Sequence, residues 1–464
     1  VDARERADLL ASLAVAERGL EGWDPALANL REALEIYINL DDRKMIGKGF
    51  AELTNTFIWA GNFHEAVETA RRGLAYLEAD VSANRVRLLA ALGHASAPAE
   101  GYEPAHEALR EALNIASQLS DPKLVASVLG ARSVANFHYF RLSEAAADGL
   151  LSEQLAGSAA SPWLRAIHLR ILYQTLLYLG RVEEAARIAD ELEPLARKIG
   201  QSYSVALCLD MRAWIEFGKA PDLAKLEADL GEFSKAAPGA RFSLWRALSE
   251  VQQSVVDFFR GNWASALLHA QASGRPEPES SIEGLGTGAL FRQMAYAGDR
   301  DGAYAILDQK RTWLPRSGQP NTRGSWLMLA LVIEGFVMLG EHSQAGQLYP
   351  LVRELVDTEA VALLPISRFT HTIAGVAATA ARQWETAEDH FRIALRQAES
   401  FPHRLEQAEI RRFHAMMLIH RDASGDREKA QTLLNEALES YQRIGMPRHV
   451  EMVGALLDSS RAQG

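Results

Sequence analysis

Phe50-Ala51-Glu52-Leu53-Thr54-Asn55-Thr56-Phe57-Ile58-Trp59-Ala60-Gly61-Asn62-Phe63-His64-Glu65-Ala66-Val67-Glu68-Thr69-Ala70-Arg71-Arg72-Gly73-Leu74 carries two amphipathic patterns with one glycine between them. Phe50, Leu53, Thr54 and Phe57 recur at spacings of three and four, which puts them on one face of a helix. Ala66, Ala70, Gly73 and Leu74 do the same for a second helix. Gly61 supplies the left-handed conformation that ends the first helix, and the small Ala66 and Gly73 let the two helices pack closely and antiparallel. The stretch predicts one helical hairpin.

Ala66 is one of a series: Ala26, Ala66, Ala105, Ala145, Ala185, Ala224, Ala266, Ala303, Ala345, Ala387 and Ala430 follow one another at steps of 37 to 43 residues. A unit copied at a near-fixed period is the mark of a solenoid, in which each repeat buries its apolar side against its neighbours. The expected fold is all-α, an α-solenoid of about eleven hairpins of about 40 residues in a single domain over 1–464. Looser junctions are expected at 272–281 and 315–324, where Gly, Pro and Ser interrupt the helical pattern on either side of hairpin eight. Hairpins six, seven, eight and eleven fit less well, with a shifted register around Gly218, Gly261, Gly298 and Gly425. The stretch from Met446 to Leu457 predicts a solvent-facing capping helix, which a finite stack requires.

Composition narrows the function classes. The 464 residues are 48% hydrophobic and carry a formal net charge of -11, which repels a phosphate backbone and argues against direct nucleic-acid binding. Cys208 is the only cysteine, so no intramolecular disulfide forms; it reads as inert packing in a protein of the reducing cytoplasm. The apolar run Leu327 to Leu339 is interrupted by Glu334 and is too short to span a bilayer, so no membrane segment is expected. The chain opens on Val1-Asp2-Ala3-Arg4-Glu5, inside an amphipathic pattern and without a starting Met or signal peptide, and reads as a piece of a longer protein.

Chemistry-bearing motifs are missing from the sequence. There is no phosphate-binding Gly-x-x-x-x-Gly-Lys loop, and Gly284-Leu285-Gly286-Thr287-Gly288 reads as a helix start or close helix contact rather than a dinucleotide fingerprint. The 13 histidines are scattered without metal-ligand spacing. The reading is of a non-enzyme with no cofactor and no metal. An enzyme on an α/α toroid would need convergent acids in one cavity.

A Leu-Gly pair, as in Leu92-Gly93 of hairpin three, and a turn glycine, an aromatic two residues later and a small residue three beyond that, as in Gly61, Phe63 and Ala66 of hairpin two, resemble the tetratricopeptide repeat. The step exceeds the usual ~34 residues, and HEAT-type pairs are the fold-level rival. The resemblance implies that the first helix of each hairpin lines a concave groove. Aligned on the alanines, Lys48, Asn55 and Trp59, Arg87 and His94, Arg132 and Asn136, and Arg170, Gln174 and Tyr178 would point into it. Such groups can hold a carboxylate, phosphate or sugar hydroxyls by charge-assisted hydrogen bonds, or they can line a wet groove and bridge neighbouring hairpins. Arg170 with Gln174 resembles half of a clamp for a peptide's terminal carboxylate.

Alanine-rich units of this length, ending in Ala437-Leu438-Glu439-Ser440-Tyr441-Gln442-Arg443-Ile444-Gly445-Met446-Pro447-Arg448-His449, resemble the C-terminal superhelix of MalT-like, STAND-type bacterial signalling ATPases. That resemblance implies a sensor arm that binds a protein or peptide partner, or a small-molecule inducer, and relays occupancy to the ATPase. A stand-alone protein-interaction scaffold is the alternative.

Overall fold

A computed structural model describes residues 2–77, 80–156, 161–236, 243–273 and 282–462. Contacts divide the chain into an N-terminal unit, residues 1–176 and 183–205, and a C-terminal unit, residues 177–182 and 206–464.

The N-terminal unit contains helices α1 (Ala3–Gly19), α2 (Trp23–Asn39), α3 (Arg43–Trp59), α4 (Phe63–Leu77), α5 (Ala83–Ala99), α6 (Tyr102–Gln118), α7 (Pro122–His138) and α8 (Leu142–Ala156), together with most of α9 (Pro162–Tyr178) and α10 (Val182–Ile199). Helix α11 (Ser202–Lys219) begins there, and most of it belongs to the C-terminal unit, as do α12 (Leu223–Ala236), α13 (Ser243–Phe259), α14 (Trp263–Ser273), α15 (Leu285–Tyr296) and α16 (Arg300–Lys310). Next come α17 (Arg323–Met338), a split partner α18 (His342–Gln347) and α19 (Tyr349–Val356), then α20 (Thr370–Ala380), α21 (Trp384–Ser400), α22 (Arg404–Arg421), α23 (Asp426–Ile444) and α24 (Pro447–Ala462). Taken in order, the described helices form eleven hairpins and a terminal helix, the expected all-α solenoid. Helix α24 buries His449, Val453 and Leu457 and exposes Glu451, as a cap should.

The period has a stereochemical cause. In nine hairpins a residue with φ between 56° and 82° stands five positions before the repeated alanine: Glu21, Gly61, Phe140, Gly180, Gly261, Gly298, Gly340, Arg382 and Gly425. At Gly61 the amide bonds Ile58 O (3.1 Å) and the Asn62 amide bonds Phe57 O (2.9 Å), the paired bonds that close a helix C-terminus on a left-handed residue. Hairpins seven, eight and eleven share that spacing, so their register is regular rather than shifted. Glu21, Phe140 and Arg382 hold the conformation without being glycine.

Ten of the eleven alanines have no exposed surface. Ala224 is exposed instead, which corrects the sequence alignment in hairpin six. Asp222 caps α12 by accepting from the amides of Ala224 (2.9 Å) and Lys225 (3.0 Å), so Ala224 falls in the first, outward turn and Leu223 and Leu226 point inward. Close approach is literal in hairpin two, where a Cβ on Gly73 would sit 2.7 Å from Phe50 Cβ. Gly288 packs on Met328 and Leu331, so the glycine-rich stretch is a close helix contact, as read.

First helices also touch first helices: α3 packs on α5 and α5 on α7, while α15 packs on α17, α17 on α20 and α20 on α22. In the N-terminal unit this inner row curls until its ends meet. A Cβ on Gly200 would lie 2.5 Å from Gly19 O, and Glu21 accepts from the Ser202 amide at 3.2 Å. Trp163 of hairpin five stands edge-on to Trp23 of hairpin one (centroids 6.1 Å) and beside Trp59 of hairpin two (5.8 Å).

Of the two loose junctions, 315–324 is non-helical until α17 begins and is tied by Asn321, which bonds Arg316 and Gln319. Residues 274–281 of the other lie outside the described residues. One element departs from the helical plan. Between α19 and α20 a two-residue ladder, β1 (Ala362–Leu363) and β2 (Arg368–Phe369), pairs antiparallel with Ala362 opposite Phe369. Pro365 offers no amide to continue a helix there.

The buried alanine contact predicts a sharp contrast. Ala266→Leu overpacks a closed helix contact and destabilises by about 1–3 kcal/mol, whereas Ala224→Leu changes stability by no more than about 0.5 kcal/mol, both read by urea denaturation. Equal losses would contradict the assigned register.

Candidate functional site

The ten residues expected in the groove divide by environment. Lys48 and Arg87 are exposed, Arg87 bonding Asn84 on its own helix (3.2 Å). Asn55 is half-buried. Arg132 donates from Nε and a terminal nitrogen to Asp148 at 2.7 and 2.6 Å, and Asn136 donates to the same carboxylate at 3.2 Å while its oxygen meets His106 Nε2 at 3.1 Å. These two residues therefore tie α7 to α8 and α6. Gln174 is buried with its amide near Arg170 O. Tyr178 belongs to the C-terminal unit, where its carbonyl accepts from the Val361 amide (2.7 Å) and its phenol bonds Arg323.

Trp59, His94 and Arg170 remain on the inner row of the N-terminal unit, joined by groups that the sequence reading did not single out. Trp163, the second residue of α9, faces Trp59 across the closure. Arg18 lies over the Trp59 ring at 4.8 Å and pairs with Glu52 at 2.8 Å. Arg170 lies over the Tyr203 ring at 4.1 Å. His168 fits where Gly130 leaves room, since a Cβ there would be 2.0 Å from its Nδ1.

Electrostatics favour neutral imidazoles in this row. Burial pushes His94 down to about 3, helped by the positive surroundings of His168, Arg170 and His138, and pushes His168 down to about 4, helped by Arg170. Among the described residues three buried nitrogens, Trp59 Nε1, Trp163 Nε1 and His168 Nε2, have no hydrogen-bond partner. Buried polar atoms are normally paired, and two indole N–H groups can only donate. The row is equipped to receive acceptor groups such as peptide carbonyls. Among the described residues no group of three His, Cys, Asp or Glu could hold a metal ion.

The C-terminal unit solves the same problem differently. Its interior holds Arg292, Arg368 and Arg412 with Glu334, Glu406 and Glu409, all at 0–1% exposure. Arg368 donates to Glu334 (2.8 and 3.0 Å) and Glu409 (2.8 Å); Arg412 donates to Glu409 (2.7 Å) and to Tyr296 (3.0 Å), which donates to Glu334 (2.8 Å). Burial works to raise Glu334 and Glu409, but Arg368, Arg292 and Arg412 outweigh it and hold both below the usual carboxylate range. Burial wins at Glu406, pushing it up to about 7. Only Glu334, a lone carboxylate in an apolar run, signalled this network in the sequence.

No protein-family model matches the sequence, and no curated protein matches it. Among solved structures the chain is similar to one in the APC/C hetero-tetramer Cut9–Hcn1, at 12% identity and TM-score 0.43 over 98% of this chain and 96% of that one. It is also similar to a Rap protein complexed with competence and sporulation factor (9%, TM-score 0.40, 73% and 98%) and to yeast Tom70 (12%, TM-score 0.35, 100% and 97%). None of the three bears on what this chain binds. Among the described residues no helix is long and apolar enough to cross a membrane.

The two inner-row histidines make a signed prediction. Their folded-state values lie below the ordinary 6.5, so their contribution to stability is complete above 6.5 and is lost as pH falls through 6.5 toward about 4. Each adds a slope of about 1.4 kcal/mol per pH unit in that window. His94→Gln with His168→Gln should therefore flatten the acid limb of a pH series of urea midpoints relative to the parent. Parallel limbs would contradict the buried neutral state.

Proposed function

We propose that this chain is a non-catalytic recognition protein whose N-terminal unit grips an extended peptide segment of a protein partner. The observation that carries the reading is the set of three buried nitrogens without partners, on Trp59, Trp163 and His168, flanked by Arg18 and Arg170. Indole N–H groups donating to main-chain carbonyls fix a segment's register, and the two guanidinium–aromatic pairs give it a flat, cationic wall. Lys48 and Arg87, exposed on the same series of helices, extend the positive character outward. The sequence's resemblance to MalT-like sensor arms supports the finer proposal that binding regulates a larger signalling ATPase in the cytoplasm, with a small-molecule inducer as the other possible occupant. A stand-alone scaffold is the competing role, and an attached nucleotide-binding module in the full-length gene separates the two.

Panning a displayed random-peptide library on the protein should enrich a motif whose synthetic peptide binds with measurable heat. Trp59→Phe and Trp163→Phe keep the rings and remove one donor each, so each should weaken that peptide by about tenfold, the worth of one lost hydrogen bond of about 1.4 kcal/mol. Unchanged affinity in both variants would remove the site from the inner row.

A further inference from the structure

We propose that residues 361–369 are a resident peptide in a receptor built into the C-terminal unit, and that this receptor accepts in trans a partner segment carrying an arginine followed by an aromatic residue. The inference concerns a different unit from the peptide site above, so the failure of either leaves the other standing.

The segment stands outside the repeat plan and is bound as a ligand is bound. Its main chain is held at both ends: the Val361 amide donates to Tyr178 O (2.7 Å), and the Phe369 amide donates to Glu406 Oε1 (2.8 Å). Ser367 turns it in the left-handed region at φ 49°. Its one charged side chain, Arg368, enters a socket of three carboxylates contributed by two helices of the inner row, Glu334 from α17 and Glu406 and Glu409 from α22. The Phe369 ring then stands edge-on to Phe401 (5.8 Å) and His403 (5.7 Å). A small cavity continues beside it, walled by Trp214, Ile215 and Leu364.

Socket chemistry sets the specificity. Arg368 uses Nε and a terminal nitrogen on Glu334 and reaches Glu409 as well, a planar fork that a lysine ammonium does not reproduce. Glu406 Oε2 lies 3.6 Å from the guanidinium and has no hydrogen-bond partner among the described residues, so Arg368 does not saturate the socket. The surrounding charged and titratable groups are Arg292, Arg412, Tyr296, Tyr441 and His449; Arg412 and Tyr441 bond Glu409, Tyr296 bonds Glu334, and Arg292 lies over Phe258. Withdrawing Arg368 alone strands buried carboxylates, which is strongly unfavourable. Replacing it with another guanidinium restores every bond, so the exchange is near neutral only for a segment of the same chemistry.

The probe is a fluorescent peptide with the sequence of residues 361–371, with versions carrying Lys or Ala at the Arg368 position as controls. Arg368→Ala in the full chain empties the socket; it should bind the arginine peptide at least tenfold more tightly than either control, and adding Glu409→Gln should abolish that preference. Folded Arg368→Ala protein that ignores the peptide, or binds all three alike, overturns the proposal. Hydrogen exchange on the unaltered protein decides the matter if that variant does not fold. The Phe369 amide should then exchange through a partial opening well before the amides of α22. Exchange of both only by global unfolding would mean that no outside segment can enter.

Discussion

One contact governs this molecule: a side chain no larger than a methyl group, fully buried where the second helix crosses the first in ten of the eleven described hairpins. Because Ala26, Ala66, Ala105 and all their successors but Ala224 have no exposed surface, any longer side chain at those ten positions would force the helices apart. A left-handed residue five positions earlier fixes the approach of the second helix, so turn and contact act as one device. Short interhelical distance in every hairpin lets first helices touch each other, and from that row follow the curl, the closure of hairpins one and two on hairpin five, and the inward-facing side chains.

An inner row of helices that curls this tightly brings polar groups out of water, and the two units answer that cost in opposite ways. In the N-terminal unit the imidazoles stay neutral and indole N–H groups are left without acceptors. In the C-terminal unit full charges are retained, and a short segment of the chain itself delivers the arginine that neutralises them. Unpartnered donors in one unit and a charge-matched network in the other are two different answers to the same desolvation cost.

Much of the fold was legible because its signals are local. A glycine, an aromatic and an alanine at fixed offsets need no knowledge of distant residues, and the period they set matches the run of hairpins apart from the register of hairpin six. Ala224 misled because composition hides a cap: Asp222 starts the helix at Leu223, two residues too late for Ala224 to take the alanine position, which falls to the buried Leu226. Phe140 and Arg382 hid turns, since nothing in a phenylalanine or an arginine announces a positive φ. The site was less legible than the fold. Arg132 and Asn136 are spent on Asp148, and no spacing rule reveals a partner sixteen residues away on another helix. Trp163 owes its place to superhelical closure, and Arg368 to a segment that leaves the repeat. Both are long-range consequences that periodicity does not encode.

The closure of the inner row is the point on which the rest turns, and a double-mutant cycle between Trp59 and Trp163 examines it directly. Urea unfolding of the parent, Trp59→Ala, Trp163→Ala and the double variant should give a coupling of about 0.5–1.5 kcal/mol, as for aromatic rings in contact. Losses that simply add, within about 0.3 kcal/mol, would show that hairpins two and five do not meet.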